Sequence, residues 1–176
     1  LPADTSDVGL RQRALLLNEI GCHDLAVADF AAAMQRNAGF ERTVLNYAST
    51  LGEMARYDEA IAVLTDFRNR FGAPAFIERK LARLAKERDD ARTAVPAPTT
   101  PPELLCGSLD TARARLHDAS FLAQRSTVRL KGGVLPHAFV LATAALEADP
   151  NSVPAKLALA RWNAASGQRD AARALV

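Results

Sequence analysis

Aromatic residues are scarce in this sequence, and their scarcity bounds the fold. Phe, Trp and Tyr make up 6% of the 176 residues, whereas 36 residues are alanine. Strands favour β-branched and aromatic side chains and alanine is the best helix former, so close-packed helices are expected rather than a sheet. Charge of one sign is also lacking. A formal net charge of +2, with 24% charged residues, gives no argument for nucleic acid on its own. No apolar run approaches the roughly 18–20 residues needed to span a bilayer, so membrane insertion is not expected. The two cysteines, Cys22 and Cys106, stand far apart in no metal or redox spacing, and a disulfide framework is not expected. Three histidines, His23, His117 and His137, lack an H-x-x-x-H spacing. Each reads as a turn or helix-surface residue, and no metal is expected. The chain opens Leu1-Pro2-Ala3-Asp4 without an initiator Met, which reads as a processed form or an excised fragment. A removed signal peptide would leave no trace, so cytoplasm and periplasm both stay open.

Catalytic patterns are equally sparse. Cys22 beside His23 could suggest a nucleophile and its base, but adjacent residues on a helical turn rarely face each other and no orienting acid is evident. Lys131-Gly132-Gly133 lacks both the spacing of a phosphate-binding loop and a preceding strand, and reads as a turn. No catalytic residue, enzyme activity or cofactor is expected.

What the sequence does have is a repeat. Ala26 recurs as Ala60 and Phe30 as Leu64, both 34 residues on, each within a helical pattern that follows a turn. The two turns are Gly21-Cys22-His23-Asp24-Leu25-Ala26 and Ala55-Arg56-Tyr57-Asp58-Glu59-Ala60-Ile61. The period returns later, Gly133 as Gly167 and Ala138 as Ala172. A 34-residue period of helix, turn and helix resembles the tetratricopeptide repeat, with Tyr57-Asp58-Glu59-Ala60-Ile61 similar to that family's second-helix opening. Ala144-Ala145-Leu146-Glu147-Ala148-Asp149-Pro150-Asn151-Ser152 is similar to its repeat junction. The resemblance implies an all-α, helical-hairpin repeat fold forming a superhelix, with a proline-rich interruption. It also implies close helix contacts at Ala14, Ala26, Ala33, Ala48 and Ala60.

Helices are expected at about Val8–Ile20, Asp24–Arg36, Glu41–Met54, Tyr57–Phe71 and Ala75–Thr93. The N-terminal block, 7–94, then holds repeats 7–40 and 41–74 and an extra helix, 75–94, for which no matching second helix follows. Four of nine prolines fall between Val95 and Pro102, a density that excludes helix and favours an extended connector, placed at 95–107. It is a loop within the array or a true domain linker. The C-terminal block, 108–176, opens with a helix capped by Ser108 or Asp110 and running to about Leu130. It contains repeat 119–152 and an incomplete unit, 153–176. Arg13, Arg125, Arg129 and Asn163 depart from the apolar residues the repeat usually has there. The truncated ending suggests that the protein continues or that an ordered core was excised, and uncovered Ala171, Leu175 and Val176 lead to an expectation of self-association.

In repeats of this kind the first helices line a concave binding groove. Carrying that over points to Arg11, Leu15, Asn18 and Glu19 in the first unit, and to Arg42, Leu45, Asn46, Ser49 and Glu53 in the second. Such a surface suits a peptide backbone with an acidic side chain. Some relatives clamp a C-terminal carboxylate between repeats. Asn46 matches one clamp position, but Leu15 replaces another asparagine and no basic pair is found in a third unit, so that speciality is not expected. The basic helix 75–93 interleaves its bases with acids at pairing distances, which favours a solvated face over a nucleic-acid surface. Trp162 reads as core or as a partner anchor. The resemblance implies a non-catalytic scaffold for a protein or peptide partner, of the kind found in bacterial secretion, envelope or chaperone assemblies. The alternative is a helical accessory domain of a larger enzyme.

Overall fold

The computed structural model describes residues 4–94, 99–133 and 135–175. Among them the regular structure is all helical, with ten α-helices and one 3₁₀ turn at Pro102–Leu104. It divides into two compact units, Leu1–Gly107 and Ser108–Val176.

The first unit contains α1 (Asp7–Glu19), α2 (His23–Arg36), α3 (Glu41–Glu53), α4 (Tyr57–Phe71) and α5 (Ala75–Thr93). Helices α1, α3 and α5 start 34 residues apart, as do α2 and α4, so the sequence period is a period of whole hairpins. Local signals set the ends. Ser6 accepts a hydrogen bond from the Gly9 amide at 3.1 Å and caps α1. Gly72, at φ 102°, ends α4, and Pro74 precedes α5. The turn within each hairpin uses a left-handed residue at one register position: Gly21 at φ 76° in the first and Ala55 at φ 59° in the second. Alanine there carries a Cβ penalty that glycine does not.

Neighbouring helices share one core. Val44, Ala48, Leu51, Ala60, Leu64, Phe67, Ile77, Leu81 and Leu84 are buried together across α3, α4 and α5. Ala14, Ala26, Ala33, Ala48 and Ala60 are all buried at the helix contacts where small residues were expected. Arg13, out of place in sequence terms, is accommodated by a partner. Its guanidinium donates from Nε and Nη2 to both carboxylate oxygens of Asp29 on α2, at 2.6 and 2.7 Å. This two-pronged contact satisfies two charges that are both largely buried. Helix α5 runs 19 residues where α1 and α3 run 13. Its extra turns carry Arg88 and Arg92, each 3.6 Å from Asp58 in the first turn of α4.

Val95–Pro98 lie outside the described residues, but 99–107 packs onto the first unit. The Thr100 hydroxyl donates to the Met54 carbonyl at 2.7 Å, and the Cys106 and Gly107 amides donate to the two carboxylate oxygens of Asp24 at 3.0 and 2.7 Å. The expectation of no disulfide needs correction: Cys22 and Cys106 form one across a sequence separation of 84, their Cα atoms 5.0 Å apart. Distance along the chain said nothing here, because the strap turns back over both hairpin turns and brings the cysteines together.

The second unit contains α6 (Leu109–Leu116), α7 (Ala119–Lys131), α8 (Leu135–Ala148), α9 (Val153–Ala165) and α10 (Arg169–Arg173). The single helix expected up to Leu130 is two. Ser108 caps α6 through the Thr111 amide, and Asp118 caps α7 through the Phe121 amide at 2.9 Å. An N-cap side chain favours starting a helix over continuing one, and Asp118 in extended backbone breaks the run. Helices α7 and α9, and α8 and α10, again start 34 residues apart. Gly133 and Gly167 are left-handed at φ 76° and 81°. Asn163 is buried, and Trp162 donates its indole N–H to the Leu135 carbonyl at 2.8 Å while its ring packs against Phe139 at a tilt of 41°. Ala171 is exposed and Leu175 half-buried; Val176 lies outside the described residues.

Candidate functional site

The candidate groove residues lie on α1 and α3, and α5 supplies a third first-helix that extends their face. The structure distributes them into three clusters. Near the start of the helices, the Arg11 guanidinium lies over the Phe40 ring, 4.1 Å from its centroid. Arg42 lines a shallow pocket with Gly39, Phe40 and Glu41. In the middle, Thr50 donates towards the Asn18 side-chain oxygen at 3.1 Å and the Asn46 carbonyl at 3.0 Å, tying α1 to α3. Leu15 is exposed beside this tie. Asn18 is therefore partly committed to holding the hairpins together.

The third cluster has the strongest chemistry. Ser49, Gly52 and Glu53 of α3 face Lys80, Arg83, Leu84 and Glu87 of α5 across a cleft of about 280 Å³. The Lys80 ammonium donates to the Ser49 hydroxyl at 2.8 Å, and that hydroxyl donates to the Leu45 carbonyl at 2.7 Å. Burial lowers the Lys80 pKa from its ordinary value, and the neighbouring Arg83 charge adds to this, while Glu87 and Glu53 oppose it. Lys80 is a cation short of solvent, held by a neutral hydroxyl. A close backbone approach shapes the floor, since a Cβ on Gly52 would stand 2.9 Å from a Leu84 methyl.

Lys80 stands one 34-residue period beyond Asn46, in the third unit, where no basic pair was expected. The starting register of α5 is legible in the sequence, but α5 lacks the following partner helix that would mark it as a third unit. His23 also needs correction. It is fully buried rather than at the surface, with Nε2 2.6 Å from a Glu53 carboxylate oxygen and Nδ1 without a hydrogen-bond partner. Glu53, expected only as a groove residue, thus also braces the α1–α2 turn. His117 and His137 are exposed, as expected. No group of His, Cys, Asp or Glu among the described residues could hold a metal ion, and no helix among them is long and apolar enough to cross a membrane.

The basic helix carries ion pairs of the expected kind: Arg83 with Glu87 at 3.4 Å and Lys86 with Asp90 at 3.9 Å. In the second unit, α7 and α9 face each other across a more apolar cleft of about 510 Å³. Val128, Val153 and Leu157 line it together with Lys131 and Arg161. Both units thus place a cleft between successive first helices.

The chain is similar to tetratricopeptide-repeat proteins. Similar solved structures include MamA 41-end from Desulfovibrio magneticus RS-1, at 12% identity and a TM-score of 0.44, covering 99% of this chain and 93% of that one. YrrB, described as a TPR protein with an unusual peptide-binding site, has 15% identity and a TM-score of 0.42, covering 97% and 83%. A thermophilic TPR protein from Thermus thermophilus has 19% identity and a TM-score of 0.42, covering 97% and 88%. No family model and no curated protein matches the chain. With TM-scores this low, the 34-residue register of this chain's own helices carries the assignment of the repeat fold.

Proposed function

We propose that the chain is a non-catalytic scaffold that holds an acidic segment of a protein partner against α1, α3 and α5. The observation that carries this reading is Lys80. A half-buried ammonium with a neutral hydroxyl for its hydrogen-bond partner gains a charge-assisted contact when a carboxylate arrives, and Arg83 beside it offers a second donor. Glu53 and Glu87 at the same cleft favour a partner that also carries a base or backbone amides. Arg11, Leu15, Asn18, Arg42, Asn46, Ser49 and Glu53 would extend the contact along the face. The division into a repeat block at 7–94, a connector at 95–107 and a second block at 108–176 then gives two separate clefts for one partner or for two. An assembly or adaptor role in a larger complex follows from such a surface. Nucleic acid is disfavoured by the interleaved acids of α5.

The test is binding of a fluorescein-labelled peptide ending in an acidic tail, read by polarisation, to the wild type and to Lys80→Ala. Loss of at least about tenfold in affinity in a folded variant supports the site. Equal binding by both proteins removes the α3–α5 cleft from consideration.

A further inference from the structure

The Cys22–Cys106 bond is either a switch or a permanent staple, and the contacts around it decide between the two. Asp24, two residues after Cys22, accepts from the amides of both Cys106 and Gly107. Thr100 anchors the upstream end of the strap on Met54. The strap is therefore registered on both hairpin turns by hydrogen bonds as well as by the sulfurs. With the thiols held side by side, each presents a high effective concentration to the other, and a mixed disulfide with a small thiol is resolved back to the internal bond. Access is one-sided as well, because Cys22 is fully buried and Cys106 half-buried. A labile regulatory bond needs an exposed or strained pair whose reduced form is released. These contacts do the opposite.

We infer that Cys22–Cys106 is a permanent staple, and that the protein matures and works in an oxidising compartment. Bonds of this kind persist in secreted, periplasmic or lumenal proteins and are rare where thiols are kept reduced. In the forming step the Cys106 thiolate attacks the disulfide of an oxidant, either a dithiol–disulfide oxidoreductase or glutathione disulfide. The Cys22 thiolate then displaces the oxidant's second sulfur from the mixed disulfide. Two thiols have lost two protons and two electrons, and the oxidant leaves as its two thiols. This inference is independent of the partner-binding proposal.

The experiment begins with cells that make the protein, quenched in acid, with free thiols blocked by N-ethylmaleimide before peptide mapping. A cross-linked Cys22–Cys106 peptide is expected, and maleimide on both cysteines overturns the inference. The purified chain is then equilibrated with glutathione at a ~100-fold excess of thiol over disulfide, a reducing condition that structural bonds resist. Persistence of the bond supports the staple, and complete reduction refutes it. Asp24→Asn, which weakens the strap's hydrogen bonds, is expected to shift that equilibrium towards reduction by about tenfold. No shift would show that the hydrogen bonds do not hold the thiols together.

Discussion

Removing the disulfide tests how the first unit is held together. Cys106→Ser is the better perturbation, because residue 106 is half-buried and a serine hydroxyl there keeps water, whereas Cys22 is fully enclosed. The bond closes a loop across a sequence separation of 84, for which the chain-entropy treatment gives about 4.5 kcal/mol at 25 °C. The Asp24 and Thr100 contacts survive the substitution and keep the strap near its place, so a loss of about 2–4 kcal/mol is expected. The first unit spans Leu1–Gly107, and a unit of that length unfolds with an entropy of about 0.2 kcal/mol/K. A loss of about 3 kcal/mol then lowers its melting temperature by roughly 13 °C.

The two units carry separate reporters. Tyr47 and Tyr57 lie in the first unit and the single tryptophan, Trp162, in the second. Thermal unfolding followed by tyrosine emission should shift by more than about 10 °C, both in Cys106→Ser and in reduced wild type. The tryptophan transition should stay in place. A tyrosine shift of under about 3 °C would refute the loop-closure reasoning. A matching tryptophan shift would show that the two units unfold together.

Three further predictions concern the same unit. Ala55→Gly relieves the left-handed Cβ penalty at the α3–α4 turn and should raise stability by about 0.5–1 kcal/mol, measured by urea denaturation; a loss would refute the strain argument. Arg13→Ala leaves Asp29 buried without its partner and should cost about 2–4 kcal/mol, with an Arg13/Asp29 double-mutant cycle showing coupling above about 1 kcal/mol. Additive single effects would mean that the pair contributes only bulk. The hydrogen bonds from Arg56 lower the Glu59 pKa below its ordinary value of 4.5. A depressed carboxylate stabilises the fold above its unfolded pKa and loses that contribution as pH falls through the folded value. Glu59→Gln should therefore flatten the stability profile below about pH 4.5 while changing neutral-pH stability by less than about 0.5 kcal/mol, because the pair is exposed.

The sequence by itself determined what depends on its 34-residue period and on its glycine and proline stops, though not the division of α6 from α7 at the Asp118 cap. Alanine content fixed the helical class, Gly21 and Gly72 marked helix ends, and the 34-residue spacing placed the helix starts. Asn46, Ser49 and Glu53 were pointed to by the resemblance to the repeat, carried over by position onto the first helix of the second unit. Tertiary structure decided whatever depends on two distant segments meeting. The Cys22–Cys106 bond, the Asp24 hold on the strap and the burial of His23 against Glu53 arise because residues 99–107 and α3 fold onto one hairpin turn. Arg13 read as a misfit until Asp29 was seen across the helix contact. Lys80 became a candidate for partner recognition only when α5 was seen packed beside α3. Pattern along the chain sets which way a side chain points, but its charge state and its partners are set by what arrives opposite it.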